Sequence, residues 1–170
     1  GFHWLSLGEA VRVLPQYACW EVYTQLLLGG YVPPSKDLDV FHFGNSTEMA
    51  SRLAHLVIKG RKRATSGNPA VFEKLNLPLP TPGLVSIVTD GFGIPLCAIQ
   101  TSQVKTHAFS KVPADVAIEE GEGDLSLEDW RHSHWEFFTK EAQSLGLTFD
   151  ENSDIFTEYF SLLKVFGLCL

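Results

Sequence analysis

Four cationic side chains lie just before a Thr-Ser pair in the first half of the chain. Lys59, Arg61, Lys62 and Arg63 fill four of five consecutive positions at the predicted end of a helix. Cations at this place complement the negative end of the helix dipole and can simply face water. A group this dense also suits the oxygens of a phosphate. Arg61 and Arg63 are therefore candidates for contact with a phosphate-bearing ligand.

A lysine and a threonine follow one another in this segment with the spacing K-x-x-T. Lys62 and Thr65 are the pair, and Ser66 comes directly after them. An amine that is desolvated near other cations loses its proton more readily, so it can activate a hydroxyl as a nucleophile. Alternatively, Thr65 and Ser66 only hydrogen-bond the backbone of a loop. Lys62 and Thr65 are candidate catalytic residues, and Ser66 is a candidate ligand-binding residue.

An acidic turn, EGEGD, supplies groups of the opposite charge. Two carboxylates held close together push the pKa of one of them upward, which gives a general acid or base, and Glu120 and Glu122 are the candidates. Asp124 and Ser126 are candidate ligand-binding residues, although acidic residues before a helix also satisfy its N-terminal dipole. Carboxylate oxygens suit Mg²⁺ or Mn²⁺, but nothing in the spacing demands a metal or any other cofactor.

The segment after this turn carries aromatic side chains and histidines at helical spacing. His134 lies on the apolar stripe, where it is either a hydrogen-bonded core residue or a group that binds ligand and transfers protons. His132 and His134 point to different faces, so they cannot bind one metal together. Trp130 and Trp135 are candidates for stacking on a nucleic-acid base, Trp135 being the better one because it lies off the main stripe. Arg131 is grouped with these ligand-binding residues.

Length, charge and cysteine usage limit the classes of function. A chain of 170 residues fits one domain, and a net charge of −7 argues against a protein that coats long duplex nucleic acid. Three scattered cysteines form no metal-binding pattern, which indicates a reducing compartment. No apolar run reaches the length of about 18 residues that a membrane span needs. A cytoplasmic protein is expected, and its oligomeric state is left open.

The periodicity of apolar residues predicts the elements that position these groups. One helix is predicted over residues 15–28, and a second over 45–59 with an N-x-x-E capping box at Asn45 and an apolar stripe of Met49, Leu53, Leu56 and Val57. The RKRATSG segment that follows is treated as a loop. Two runs around a DGFG turn, residues 84–89 and 95–101, predict a hairpin whose second strand continues to about residue 109.

The last third of the chain adds two helices and a strand. A short helix over residues 113–120 breaks at the glycines of the acidic turn, and Ser126 caps a longer helix that ends at Gly146. Residues 154–166 are β-branched and aromatic enough for a long closing strand. Helices and strands alternate without βαβ regularity, which predicts an α+β fold with a β-barrel and helices packed around it.

Three stretches of the chain resemble the ASCH (activating signal cointegrator homology) family of the PUA-like superfamily. Residues 43–67 resemble its opening helix and G-[RK]-K-x-A-T loop, residues 84–104 its central hairpin, and residues 117–138 the E-G-E-G-D-x-S-L-x-x-W-R-x-x-H-x-x-F-F segment of longer bacterial members. The resemblance implies a PUA-like barrel over residues 41–170, preceded by a helical extension over 1–40. It also implies a cleft that takes RNA or a modified nucleoside.

The resemblance also implies roles for particular residues. In the branch of the family that hydrolyses acetylcytidine, the pair matching Lys62 and Thr65 acts with a glutamate, for which Glu120 is the closest match and Glu122 the alternative. His134 matches a family position as well. We expect a protein that binds and hydrolyses short single-stranded RNA or an RNA-derived nucleotide, like a ribonuclease. The alternatives are an amidohydrolase of an acylated cytidine and a non-catalytic RNA-binding module. A wide basic surface would favour a polymer, and a narrow pocket a nucleoside.

Overall fold

The computed structural model of the protein describes residues 5–6 and 38–166. Its six strands are β1 (Leu5–Ser6), β2 (Leu38–Phe41), β3 (Ala64–Gly67), β4 (Val85–Thr89), β5 (Pro95–Ala108) and β6 (Asp154–Val165). Its four α-helices are α1 (Thr47–Ile58), α2 (Pro69–Lys74), α3 (Ala114–Glu120) and α4 (Leu127–Ser144), and a 3₁₀ turn follows β5. None of these helices is long and apolar enough to cross a membrane. The helix predicted over residues 15–28 lies outside the described residues, as does most of the extension predicted over 1–40.

The strands form one mixed sheet in the order β1-β2-β4-β5-β6-β3. β2 pairs with β4 in parallel, and all other neighbours are antiparallel. The hairpin predicted around the DGFG turn is β4–β5, and the predicted closing strand is β6, which pairs with β5 along most of its length. The predicted α+β class is therefore confirmed. The RKRATSG segment was wrongly assigned to a loop, because its second half is the strand β3.

Helix α1 packs its apolar stripe on the sheet, as predicted. Leu53 and Val57 are buried, while Met49 and Leu56 are partly buried against the same core. The predicted cap is wrong by one residue, because the hydroxyl of Ser46 accepts the hydrogen bond from the backbone N–H of Met49. The core that α1 covers consists of Phe41, Phe43, Leu53, Ala54, Val57, Phe72, Val88, Cys97, Ile99, Phe156 and Phe160.

The end of α3 and the start of β3 are held against each other by backbone contacts. The N–H of Arg63 donates to the carbonyl of Glu119 at 2.7 Å, and the carbonyl of Arg63 accepts from the N–H of Phe160 in β6 at 3.0 Å. Gly121 ends α3 with a φ of 68°, and a Cβ there would collide with the carbonyl oxygen of Arg61. Only glycine fits both the left-handed conformation and this close approach.

A second apolar cluster holds α3 and α4 on the sheet. Its buried residues are Phe109, Val112, Val116, Ala117, Trp130, Phe138 and Ile155. Helix α4 begins as predicted, since the hydroxyl of Ser126 accepts from the N–H of Asp129 at 3.1 Å. The acidic turn between the two helices is thereby fixed at both ends.

Replacing Leu53 by alanine should lower the free energy of unfolding by about 2 to 5 kcal/mol, because the side chain is only 5% exposed in the main core. Urea unfolding followed by circular dichroism measures the change. Leu79→Ala is the matched control: that leucine is 45% exposed, and its loss should cost less than about 0.5 kcal/mol. Equal stability of the two variants would contradict the packing of α1.

Candidate functional site

A small pocket opens between α1, β3, the acidic turn and α4. Its volume is about 150 Å³. The apolar part of its wall consists of Phe43, Met49, Leu53 and Phe137. The polar part consists of Arg52, Thr65, Ser66, Glu120, Glu122, Ser133 and His134. The pocket therefore combines an apolar wall with a dense group of polar and charged atoms, which is the composition typical of small-molecule sites.

Lys62 lies behind the polar wall with its side chain only 1% exposed. Its amine donates to Oε2 of Glu122 at 2.8 Å, lies 3.8 Å from Oε2 of Glu120, and lies 5.3 Å from the centre of the Phe43 ring. The flanking side chains of Arg61 and Arg63 point outward, so consecutive residues alternate as they enter β3. Two carboxylates surround this amine, whereas the sequence analysis expected it to lie among other cations.

Glu120 is the centre of the polar group and is 1% exposed. Its Oε1 accepts from the hydroxyl of Ser66 at 2.5 Å, and its Oε2 accepts from Nε2 of His134 at 2.9 Å. Burial by itself would raise the pKa of this carboxyl. The charges of His134 and Lys62 and the hydrogen bonds from His134 and Ser66 outweigh burial, so the pKa of Glu120 lies well below its usual range. Glu120 is thus an anion at neutral pH.

His134 contacts a hydrogen-bond acceptor with each of its ring nitrogens. Nε2 faces the Glu120 carboxylate, and Nδ1 lies 2.9 Å from the backbone carbonyl of Trp130. Neither an ionised carboxylate nor a carbonyl can donate, so this geometry favours an imidazole that carries a proton on both nitrogens. The indole of Trp130 also stacks on the imidazole at 4.1 Å, an arrangement that favours a cation. Burial opposes the charge, but Glu120 and then Glu122 outweigh it and raise the pKa of His134.

Together, the side chains at the back of the pocket form a neutral set of two cations, Lys62 and His134, and two anions, Glu120 and Glu122. One ligating atom each of Glu120, Glu122 and His134 lies within 4.8 Å of the others, so the three residues are close enough to hold a metal ion. A divalent cation would have to displace the Lys62 amine from Glu122 and remove the Nε2 proton of His134. A metal would therefore compete with the two cations that already neutralise the carboxylates.

The two hydroxyl residues of β3 occupy different positions around this group. Thr65 pairs across the sheet with Glu158, and Ser66 pairs with Thr157. The Ser66 hydroxyl also lies 3.0 Å from the hydroxyl of Thr157, so it is joined to both β6 and Glu120. Thr65 lines the pocket without such a bond to Glu120. Ser66 thus belongs to the hydrogen-bonded set, while Thr65 is a largely buried part of the pocket wall.

A second buried carboxyl, that of Glu158, lies across the sheet from Thr65. One of its oxygens accepts from the hydroxyl of Thr101 at 2.5 Å. Burial raises the pKa of Glu158 to about 7; the Thr101 bond opposes this rise, and the charge of Asp39 adds to it. Glu158 does not line the pocket, and the sequence analysis did not single it out.

Four of the predicted ligand-binding residues lie outside the pocket wall, and three of them have local partners. Arg63 makes a two-pronged ion pair with Glu119, with both N–O distances at 3.0 Å. Arg61 is exposed and does not line the pocket. Asp124 accepts from the N–H of Ser126 at 2.8 Å, and the Ser126 hydroxyl caps α4. This geometry agrees with the alternative given for the charged residues, namely that they complement the ends of helices.

The predicted ligand-binding residues of α4 other than His134 also lie outside the pocket wall. Trp130 is 4% exposed and lies between Phe109 and His134. Trp135, 39% exposed, packs against Phe109 and Phe149. Arg131 donates to the backbone carbonyl of Ser110 at 3.0 Å, which ties α4 to the turn after β5. The tryptophans therefore support the site from behind and do not face its cavity.

The structure adds pocket residues that sequence reasoning missed. Arg52 was not singled out from the sequence, although it lies three positions after Met49 and therefore on the same side of α1. Phe43 precedes the helix without any periodic pattern of its own. Phe137 lies one turn of α4 after His134, and its spacing from that histidine was the signal that could have found it. Ser133 lies one turn before Phe137 on the same helix.

Comparison with known proteins gives consistent results. A family model described as an ASCH domain matches residues 39–164. The structure is similar to that of an ASCH domain from Lactobacillus crispatus JV V101, with 28% identity, a TM-score of 0.74, and coverage of 83% of this chain and 91% of that one. It is also similar to a protein from Enterococcus faecalis V583, with 29% identity, a TM-score of 0.76, and coverage of 86% and 89%. No curated protein matches the chain. These similarities confirm the predicted PUA-like fold.

The charge state of His134 can be measured directly by NMR titration of its imidazole resonances. We expect its pKa to lie above the ordinary value of 6.5, so the stability from the ion pair is complete below pH 6.5 and is lost as the pH rises through the folded-state pKa. Glu120→Gln should lower the pKa of His134, because the largest contribution that favours its charge is then lost while burial remains. A wild-type His134 that titrates below 6.5 would contradict the ion pair.

Proposed function

Because the chain belongs to the ASCH domain family, we propose that it binds a single RNA-derived nucleoside or nucleotide in its pocket and hydrolyses an acyl amide on the base. One observation carries the proposal: Thr65, Glu120 and Glu122 line one small pocket, and the buried amine of Lys62 contacts both carboxylates. A nucleophile, a cation and proton acceptors are thus available to one ligand, as hydrolysis of an amide requires.

The size and charge of the site favour a single nucleoside over a strand of RNA. ASCH domains are generally linked to RNA binding, so a ligand derived from RNA suits the family. A cavity of about 150 Å³ suits one small group. The cations that would follow a phosphate backbone are directed elsewhere, since Arg61 lies outside the pocket and Arg63 is paired with Glu119. A net charge of −7 also opposes a polyanion.

The pocket wall suits the two parts of a modified base. The partly exposed Phe137 offers ring surface to the flat face of a base, and the hydroxyls and charged groups can meet its exocyclic atoms. Phe43 is buried and completes the apolar wall behind it. An acyl group on an exocyclic nitrogen would then lie near Thr65. The site thus suits acylated cytidine, the alternative ligand of the sequence analysis.

The proposed reaction has two covalent steps. Lys62 first gives a proton to Glu122, with which it is in contact at 2.8 Å, and then takes the hydroxyl proton of Thr65. Thr65 Oγ forms a bond to the acyl carbon, and the bond from that carbon to the exocyclic nitrogen breaks as the nitrogen takes a proton back from Lys62. Water then cleaves the Thr65 ester, which releases the carboxylic acid and restores the hydroxyl.

Glu120 and Glu122 have different roles in this scheme. The low pKa of Glu120 makes it a weak base, so its role is to hold Lys62, His134 and Ser66 in place. Glu122 is 25% exposed and binds the amine more closely, which suits a carboxylate that accepts and returns a proton. This assigns the proton transfer to Glu122, one of the two candidates that the sequence analysis left open.

Hydrolysis of acetylcytidine to cytidine and acetate tests the proposal. Thr65→Val should lower kcat by at least about a hundredfold, because it removes the nucleophile. Thr65→Ser should retain part of the activity, and Thr148→Val, at an exposed threonine far along the chain, should retain all of it. Mass spectrometry of the wild-type protein during turnover should detect the acetyl group on Thr65.

The two other functions considered from the sequence, a ribonuclease and a non-catalytic binding module, would give different results in the same experiments. Cleavage of single-stranded RNA that is lost in Lys62→Ala but unchanged in Thr65→Val would indicate phosphate chemistry and overturn the amidohydrolase. Binding of cytidine or acetylcytidine without turnover would leave a binding module. Because Lys62 is buried between two carboxylates, circular dichroism of Lys62→Ala must first establish that the variant folds.

A further inference from the structure

We infer that the ligand of this pocket carries a phosphate on its sugar, and that Arg52 at the pocket mouth selects the nucleoside monophosphate over the free nucleoside. This inference rests on the proposed function, because it identifies the ligand of the same site. Its starting point is that Arg52 lines the pocket while its side chain remains exposed.

Among the described residues of the pocket, Arg52 is the one cation that no acidic side chain neutralises. Lys62 and His134 are neutralised by Glu120 and Glu122, and Arg63 is neutralised by Glu119. Arg52 makes no hydrogen bond or ion pair with another described side chain. A neutral nucleoside would satisfy the inner part of the pocket and leave this guanidinium facing water.

The position of Arg52 also separates it from the chemistry. It lies on α1 between Met49 and Leu53, which form part of the apolar wall, whereas the ionised group belongs to β3, the acidic turn and α4. A base held against the aromatic wall with its acyl group at Thr65 would direct its sugar outward. The guanidinium can then bind two phosphate oxygens with its planar set of donors.

Because Arg52 is a single cation, it limits the number of phosphates that the ligand can carry. One arginine suits one phosphate, whereas a strand needs a series of cations along its path, and the net charge of −7 adds repulsion. We therefore assign a mononucleotide to the pocket, and a longer oligonucleotide becomes an outcome of the test.

Calorimetric titration with cytidine, cytidine 5′-monophosphate and cytidine 3′-monophosphate tests the inference. We expect the wild-type protein to bind one monophosphate about tenfold more tightly than cytidine, as a charge-assisted contact allows. Arg52→Gln should abolish this preference, because the monophosphate then loses the contact that cytidine, which has no phosphate, never makes. Arg52→Lys should retain part of it, since the charge remains but the planar fork is lost.

Lys74→Gln is the matched control, because it removes one exposed positive charge from α2, outside the pocket, and should keep the preference. Equal affinity of the wild-type protein for cytidine and both monophosphates would overturn the inference and leave the proposed function intact. A preference that survives in Arg52→Gln would also overturn it. A cytidine tetranucleotide that binds more than tenfold tighter than either monophosphate would replace the mononucleotide with RNA. Absence of binding by all of these ligands and by acetylcytidine would overturn both proposals.

Discussion

Four ionised side chains meet at the back of the pocket, and two of them, Lys62 and Glu120, are almost completely removed from water. Burying a charge costs several kcal/mol unless a partner compensates it, and losing one partner of a buried pair destabilises a protein by about 3 to 5 kcal/mol. Because Lys62 and Glu120 come from distant parts of the sequence, neither can be buried until the fold brings them together. The rest of the structure around the pocket is arranged to meet this requirement.

The backbone contacts around Arg63 and Gly121 are what bring these parts together. The hydrogen bond from Arg63 to Glu119 aligns the start of β3 with the end of α3, and the close approach at Gly121 turns the chain so that Glu120 and Glu122 both reach Lys62. Helix α4 then adds His134, whose orientation is fixed by Trp130. Residues that line no part of the pocket, such as Arg63, Gly121 and Trp130, therefore hold its charged groups in place.

Periodicity and capping predicted the elements with a continuous apolar stripe or strand-forming composition, namely α1, the β4–β5 hairpin, α4 and β6. They failed at β3, because Ala-Thr-Ser-Gly has no alternating apolar pattern and becomes a strand only through its pairing with β6. The sequence shows which residues are charged, but it does not show which way their side chains point. Lys62 points inward and Arg63 outward because of backbone bonds to Glu119 and Phe160, which are far away in the sequence.

The location of β3 at the end of the strand order has a consequence for the dynamics of the protein. This strand of four residues pairs only with β6 among the described strands, yet Lys62, Thr65 and Ser66 all lie in it or just before it. A strand that is paired on one side has fewer backbone hydrogen bonds to break than the central strands, so we expect β3 to open at a lower free energy than β4 or β5. A ligand that contacts β3, α1 and α4 together would suppress this opening, which makes slower amide exchange in β3 a signature of occupancy.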